Sequence, residues 1–270
     1  MESLRLMLGT SVVAAYDAFE SAFTCCLPAF SNETIIPIPE EMATTFKNAV
    51  GYRGVDLPVS VRPLNGTTTT RIALIAQDPL RNGRNFGTYD PTDDVVAIGS
   101  PFAVHSEDMR SGHAEVYWEL VRHIVMTFNA EVYLTDVEKI YYKVQKGSKR
   151  VASDLPRSSF DEQLLERELK SFAPDVVVTL GAYAAKKIVG HHVFPLIAPL
   201  DRYRSLRSFG ECAVLPVVHP ASYRYGVVNR WLKKNDRGAI VQYRDAARAV
   251  FQVVEPVLTS TLSAGLPALG

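Results

Sequence analysis

Arg71-Ile72-Ala73-Leu74-Ile75-Ala76-Gln77-Asp78-Pro79 is an apolar run that stops at a polar pair and a proline. Unbroken apolar runs of this length mark a strand covered on both faces, as in a parallel sheet. A second stretch has the same form: Ala213-Val214-Leu215-Pro216-Val217-Val218 leads into His219-Pro220-Ala221-Ser222. Ligands of open α/β sheets lie beyond the carboxyl ends of the strands, so Asp78 and His219 are expected to face one crevice.

Two further strands are predicted between them, Val132 to Val137 and Asp175 to Leu180. Val116, Leu120, Ile124 and Phe128 share one helical face within Ser111 to Asn129, with Asn129 as the stop. Ser159 and Glu162 form a capping box that opens a helix to Phe172, where Ala173-Pro174 ends it. Gly181 turns the chain into a short helix, Ala182 to Val189, and a last helix is expected from about Gly238 to Val254. Strands that alternate with helices predict an α/β fold: a central four-stranded parallel sheet flanked by helices on both faces. Cys26 to Asn65 reads as irregular, with one short helix at most, and Leu80 to Pro91 as a long functional loop.

With 29 acidic and 29 basic residues among 270, the overall field neither attracts nor repels nucleic acid; any DNA affinity must come from local clusters. Leu4 to Phe23 is apolar, but Asp17 and Glu20 interrupt it and no basic run precedes it, so an amphipathic helix is expected rather than a membrane or signal segment. Cys25, Cys26 and Cys212 cannot make a paired disulfide framework, which fits a reducing cytoplasm.

Gln77-Asp78-Pro79, Leu134-Thr135-Asp136-Val137, Val177-Val178-Thr179-Leu180-Gly181 with Ala184, and His219-Pro220-Ala221-Ser222 stand in the order and spacing of motifs in the uracil-DNA glycosylase superfamily. The chain resembles that family over roughly residues 70 to 225. The resemblance implies a glycosylase-like domain at 66–256, preceded by a helical or irregular extension at 1–65 that packs on it and followed by a tail at 257–270.

The chemistry of such an enzyme agrees with these residue types. Cleaving an N-glycosidic bond develops an oxocarbenium-like sugar and an anionic base, and water must reach the sugar. By resemblance, Asp78 orients that water and stabilises the cation, and His219 donates a hydrogen bond to the departing base, much as an oxyanion hole does. The extruded base also needs an aromatic face, for which Phe102 matches the family's stacking phenylalanine. Gln77, Leu80, Phe102 and Asp136 are thus the candidate base-binding residues. Tyr223 stands where the family carries an apolar wedge, with Ser222 and Arg224 beside it. Lys146 and Lys149, and Arg202 and Arg204, belong to basic clusters suited to phosphates, while Arg81 and Arg84 in the long loop are DNA-contacting residues able to hydrogen-bond a polar substituent on the base.

Two positions depart from the family pattern. Uracil readers carry asparagine on the second strand, donating to O4 and accepting from N3–H; Asp136 stands there. An ionised carboxylate has no donor for O4, and a buried acceptor facing an acceptor costs about 1–3 kcal/mol. Cytosine instead presents an amino donor, which aspartate accepts, and a protonated Asp136 would also complement N3. The plainer readings of Asp136 are a helix cap or an ion pair with Lys139. Second, Leu80 replaces the tyrosine that crowds C5 in uracil-specific relatives, leaving room for a substituent. The expectation is a monofunctional glycosylase for a 5-modified cytosine of foreign (phage) DNA. A base-excision uracil-DNA glycosylase is the alternative, and a catalytically silent DNA-binding relative is the alternative of another class. No cofactor, metal, membrane or obligate protein partner is expected: three cysteines fall short of an iron–sulfur set, and His191-His192 lacks a second cluster at ligand spacing.

Overall fold

The computed structural model describes residues 34–38, 40, 43, 46, 53–63, 68–77, 94–103, 115–141, 159–189, 212–220, 225–240 and 242–264. In chain order the strands are β1 (Thr34–Pro37), β2 (Gly54–Asp56), β3 (Val59–Val61), β4 (Thr70–Ala76), β5 (Val95–Gly99), β6 (Ala130–Asp136), β7 (Ile140–Tyr141), β8 (Val176–Leu180) and β9 (Ala213–Val217). The helices are α1 (Glu115–Phe128), α2 (Ser159–Phe172), α3 (Ala182–Val189), α4 (Tyr225–Lys234) and α5 (Ala246–Ser263).

The four strands expected from sequence are all present. They form a parallel set in the order β6-β4-β8-β9, with β4 paired on both sides. Alternate residues of β4 divide between two cores. Ile72, Leu74 and Ala76 meet apolar residues of α1, α4 and α5; Ala73 and Ile75 meet Leu165 and Leu169 of α2 and Ala184 of α3. Helices therefore cover both faces, which is why the strand reads as continuously apolar. Asp175 fixes the register at the other end: its carboxylate accepts from the Arg71 N–H at 2.7 Å, and its own N–H donates to the Arg71 carbonyl at 2.8 Å.

Three sequence expectations need correction. First, β3 adds a fifth, antiparallel strand at the β6 edge. Second, β1, β5, β2 and β7 form another sheet, in the order β1-β5-β2-β7. These strands are two to five residues long, too short for periodicity to register. Residues 34–37, 54–56 and 59–61 are strands where irregular structure was expected. Third, the last helix runs from Ala246 to Ser263 rather than from about Gly238 to Val254, and passes through Pro256. Proline removes the N–H that would bond to the Gln252 carbonyl. Arg237 supplies a replacement, its Nη2 donating to that carbonyl at 3.0 Å. The expected stop at Asn129 is present, in a left-handed conformation with φ 46°.

A buried ion pair ties α2 to the sheet. Lys139 Nζ lies 2.7 Å from Glu168 Oε2, with the side chains 1% and 4% exposed. The same ammonium donates to Thr135 Oγ1 and to the Asp136 carbonyl, and the Thr135 hydroxyl donates to Glu168 at 2.8 Å. Removing one member strands a buried charge. Lys139→Met is expected to destabilise the protein by about 3–5 kcal/mol, and a Lys139→Met, Glu168→Leu double variant to regain most of that, measured by urea denaturation.

Candidate active site

Parallel pairing places the carboxyl ends of β6, β4, β8 and β9 on one edge. Ala76 is in register with Asp136, and Leu180 with Val217, so Asp136, Gln77, Gly181 and His219 follow one another across that edge. From β6 to β9 is three strand spacings, on the order of 14 Å, which a pyrimidine flanked by two side chains can fill. Asp136 shares the pleat side of Ala76, the side on which α1 packs.

Gln77 joins this edge through its backbone, since its carbonyl accepts from the Glu138 N–H at 3.0 Å. Asp136 is 1% exposed. The helix-cap reading of it does not hold, because β6 leads into β7 rather than a helix. Nor does Lys139 form its ion pair there: that ammonium pairs with Glu168 and reaches Asp136 only at the carbonyl.

His219 lies two residues beyond β9, half-buried, against Gly181. Gly181 has φ +89° and donates its N–H to the Val217 carbonyl at 2.8 Å. A Cβ there would touch His219 Cβ at 3.4 Å, so glycine serves both the backbone conformation and the close approach of the imidazole.

The second sheet delivers Phe102. The β5 strand ends at Gly99, whose carbonyl accepts from the Leu57 N–H at 3.0 Å, and the chain passes through buried Ser100 into a 3-10 turn, Pro101–Ala103, against β6. Phe102 has φ +59°, a left-handed conformation that is costly for an aromatic residue. Such outliers persist where the surroundings over-determine them, as at ligand sites. Its ring stacks on Tyr117 at 4.7 Å and 21°, and Tyr117 Oη lies 3.1 Å from His219 Nε2. Two residues proposed from sequence are thereby joined through a third that sequence reading missed. Nothing in the spacing of α1 connects Tyr117 to residue 219.

A model of the family described as the Uracil DNA glycosylase superfamily matches residues 64–239, about two-thirds of the chain. This protein belongs to the uracil-DNA glycosylase superfamily. Members of that superfamily are DNA glycosylases, and the α/β sheet with helices on both faces agrees with the family's fold. No curated protein matches the chain. Among the described residues no helix is long and apolar enough to cross a membrane.

Of the residues proposed for a superfamily site, Gln77, Phe102, Asp136 and His219 fall on this edge or beside it. Asp78, Leu80, Arg81, Arg84, Lys146, Lys149, Arg202, Arg204, Ser222, Tyr223 and Arg224 lie outside the described residues. Gly181→Ala is expected to lower stability by about 1–3 kcal/mol, through the positive φ, as read from a urea unfolding midpoint.

Proposed function

We propose that this protein is a monofunctional DNA glycosylase that hydrolyses the N-glycosidic bond of a flipped-out, 5-modified cytosine in phage DNA and leaves an abasic site. The observation that carries this reading is Asp136, a buried aspartate at the β6 carboxyl end where uracil readers of the family carry asparagine. Its carboxylate accepts the cytosine amino group, a donor that uracil lacks at C4. Leu80 in place of tyrosine supports the same reading, because it leaves space for a substituent at C5.

In this mechanism the base stacks on the Phe102 side of the edge and Asp136 accepts its exocyclic amine. Asp78 directs water to the sugar as positive charge develops there. His219 donates a hydrogen bond to the base carbonyl as the glycosidic electron pair moves onto the base. Ser222, Tyr223 and Arg224 follow His219 in the chain and serve as the wedge that holds the vacated stack, while the basic clusters take the phosphates. Plain cytosine is abundant in any genome, so selectivity rests on the C5 substituent, and a defence role against phage with modified DNA follows.

Duplexes carrying uracil, thymine, cytosine, hydroxymethylcytosine or glucosylated hydroxymethylcytosine test the substrate by abasic-site formation. Release confined to the modified cytosines is expected. Release of uracil alone would instead identify a repair enzyme, and DNA binding without base release a silent relative. Asp136→Asn is expected to move preference toward uracil, the change being read on the same duplexes. Asp78→Asn is expected to cut base release by roughly two orders of magnitude or more while leaving the unfolding midpoint in place, since it removes the charge that assists cleavage.

A further inference from the structure

Tyr117 is the third residue of α1, and its side chain touches both Phe102 and His219. Its ring lies on Phe102 with centroids 4.7 Å apart and planes at 21°. Its hydroxyl lies 3.1 Å from His219 Nε2 and 3.4 Å from Nδ1, with the two rings edge to face at 81°. A flipped pyrimidine would make the same pair of contacts, presenting a flat π face to Phe102 and a ring-edge oxygen to the imidazole. At a 4.7 Å separation no third ring fits between Phe102 and Tyr117.

We infer that Tyr117 occupies the base-binding position in the free protein, and that a flipped base binds Phe102 and His219 only by displacing it. This inference rests on the reading of Phe102 and His219 as base-binding residues. The helix is built to let that side chain move without moving itself. Val116 and Trp118, on either side, are buried in the core and hold the backbone, whereas Tyr117 is only half-buried and can change rotamer.

The consequence is arithmetical. If only the fraction of molecules with Tyr117 withdrawn accepts a base, the apparent dissociation constant rises by the inverse of that fraction. The factor is the same for every base, so Tyr117 sets how tightly any base is held and leaves preference among bases to other residues.

Tyr117→Phe keeps the ring and removes the hydroxyl, and Tyr117→Leu removes the aromatic stack as well. Both are assayed as full-length protein on each duplex that the wild type cleaves, with urea melts to establish folding. A duplex with a tetrahydrofuran abasic site, which has no base to compete with Tyr117, is titrated in parallel. Loss of one hydrogen bond is expected to lower KM about three- to tenfold in Tyr117→Phe. Tyr117→Leu lowers it at least as far, by one common factor for all cleaved bases, while affinity for the tetrahydrofuran duplex stays within about twofold. An unchanged or raised KM overturns the inference, as does a fall in kcat at constant KM, which would make Tyr117 a residue that positions His219. If the wild type releases no base, the base-binding reading falls and takes this inference with it; release with KM unmoved sinks the inference alone.

Discussion

The constraint on which the rest depends is the two-sided pairing of β4. Its neighbours β6 and β8 run parallel to it, and β9 runs parallel to β8, so four carboxyl ends reach one edge whatever loops follow them. Burial on both faces enforces this arrangement. A one-residue slip of β4 would exchange Ile72 and Leu74, now among α1 and α5, with Ala73 and Ile75, now against α2 and α3. Two cores of different shape would both be spoiled. The register that places Asp136 opposite Ala76 is thus held by apolar packing many residues from the chemistry.

Polar groups at the edge are held differently. Beneath Asp136, a lysine, a glutamate and a threonine share one buried cluster, and the lysine donates to the Asp136 carbonyl. Next to it, the Tyr183 phenol donates to Glu138 Oε1. A buried ion pair is weak evidence for stability, since apolar replacements of similar volume are often as good. Its geometric effect is plainer: it fixes the backbone that carries Asp136 at the end of β6.

What was legible in the sequence follows from the physics of each feature. Strands β4, β6, β8 and β9 announced themselves because burial asks for apolar runs, long in Ile72–Ala76 and shorter in Val132–Leu134 and Val176–Val178. The second sheet was silent: Gly54–Asp56 and Ile140–Tyr141 are too short to carry a period, and their partners lie far away in sequence. The end of α5 beyond Val254 escaped the periodicity, because the Arg237 donor that compensates Pro256 lies before the helix begins. Motif residues such as His219 and Phe102 could be named from order and spacing. The contact that joins them could not, because Tyr117 sits on a helix whose visible signal is its buried stripe of Val116, Leu120 and Ile124.

Strain and competition meet at Phe102. The second sheet brings the chain to the edge at Gly99, and three residues on Phe102 holds a positive φ, a costly conformation for a residue with a Cβ. Left bare, such a face would be an exposed apolar surface beside a polar imidazole. Stacking by Tyr117 covers the ring, and the phenol meets the imidazole, so one side chain satisfies both neighbours. The same stack and the same hydroxyl contact thus tie the second sheet, α1 and the end of β9 together at one point.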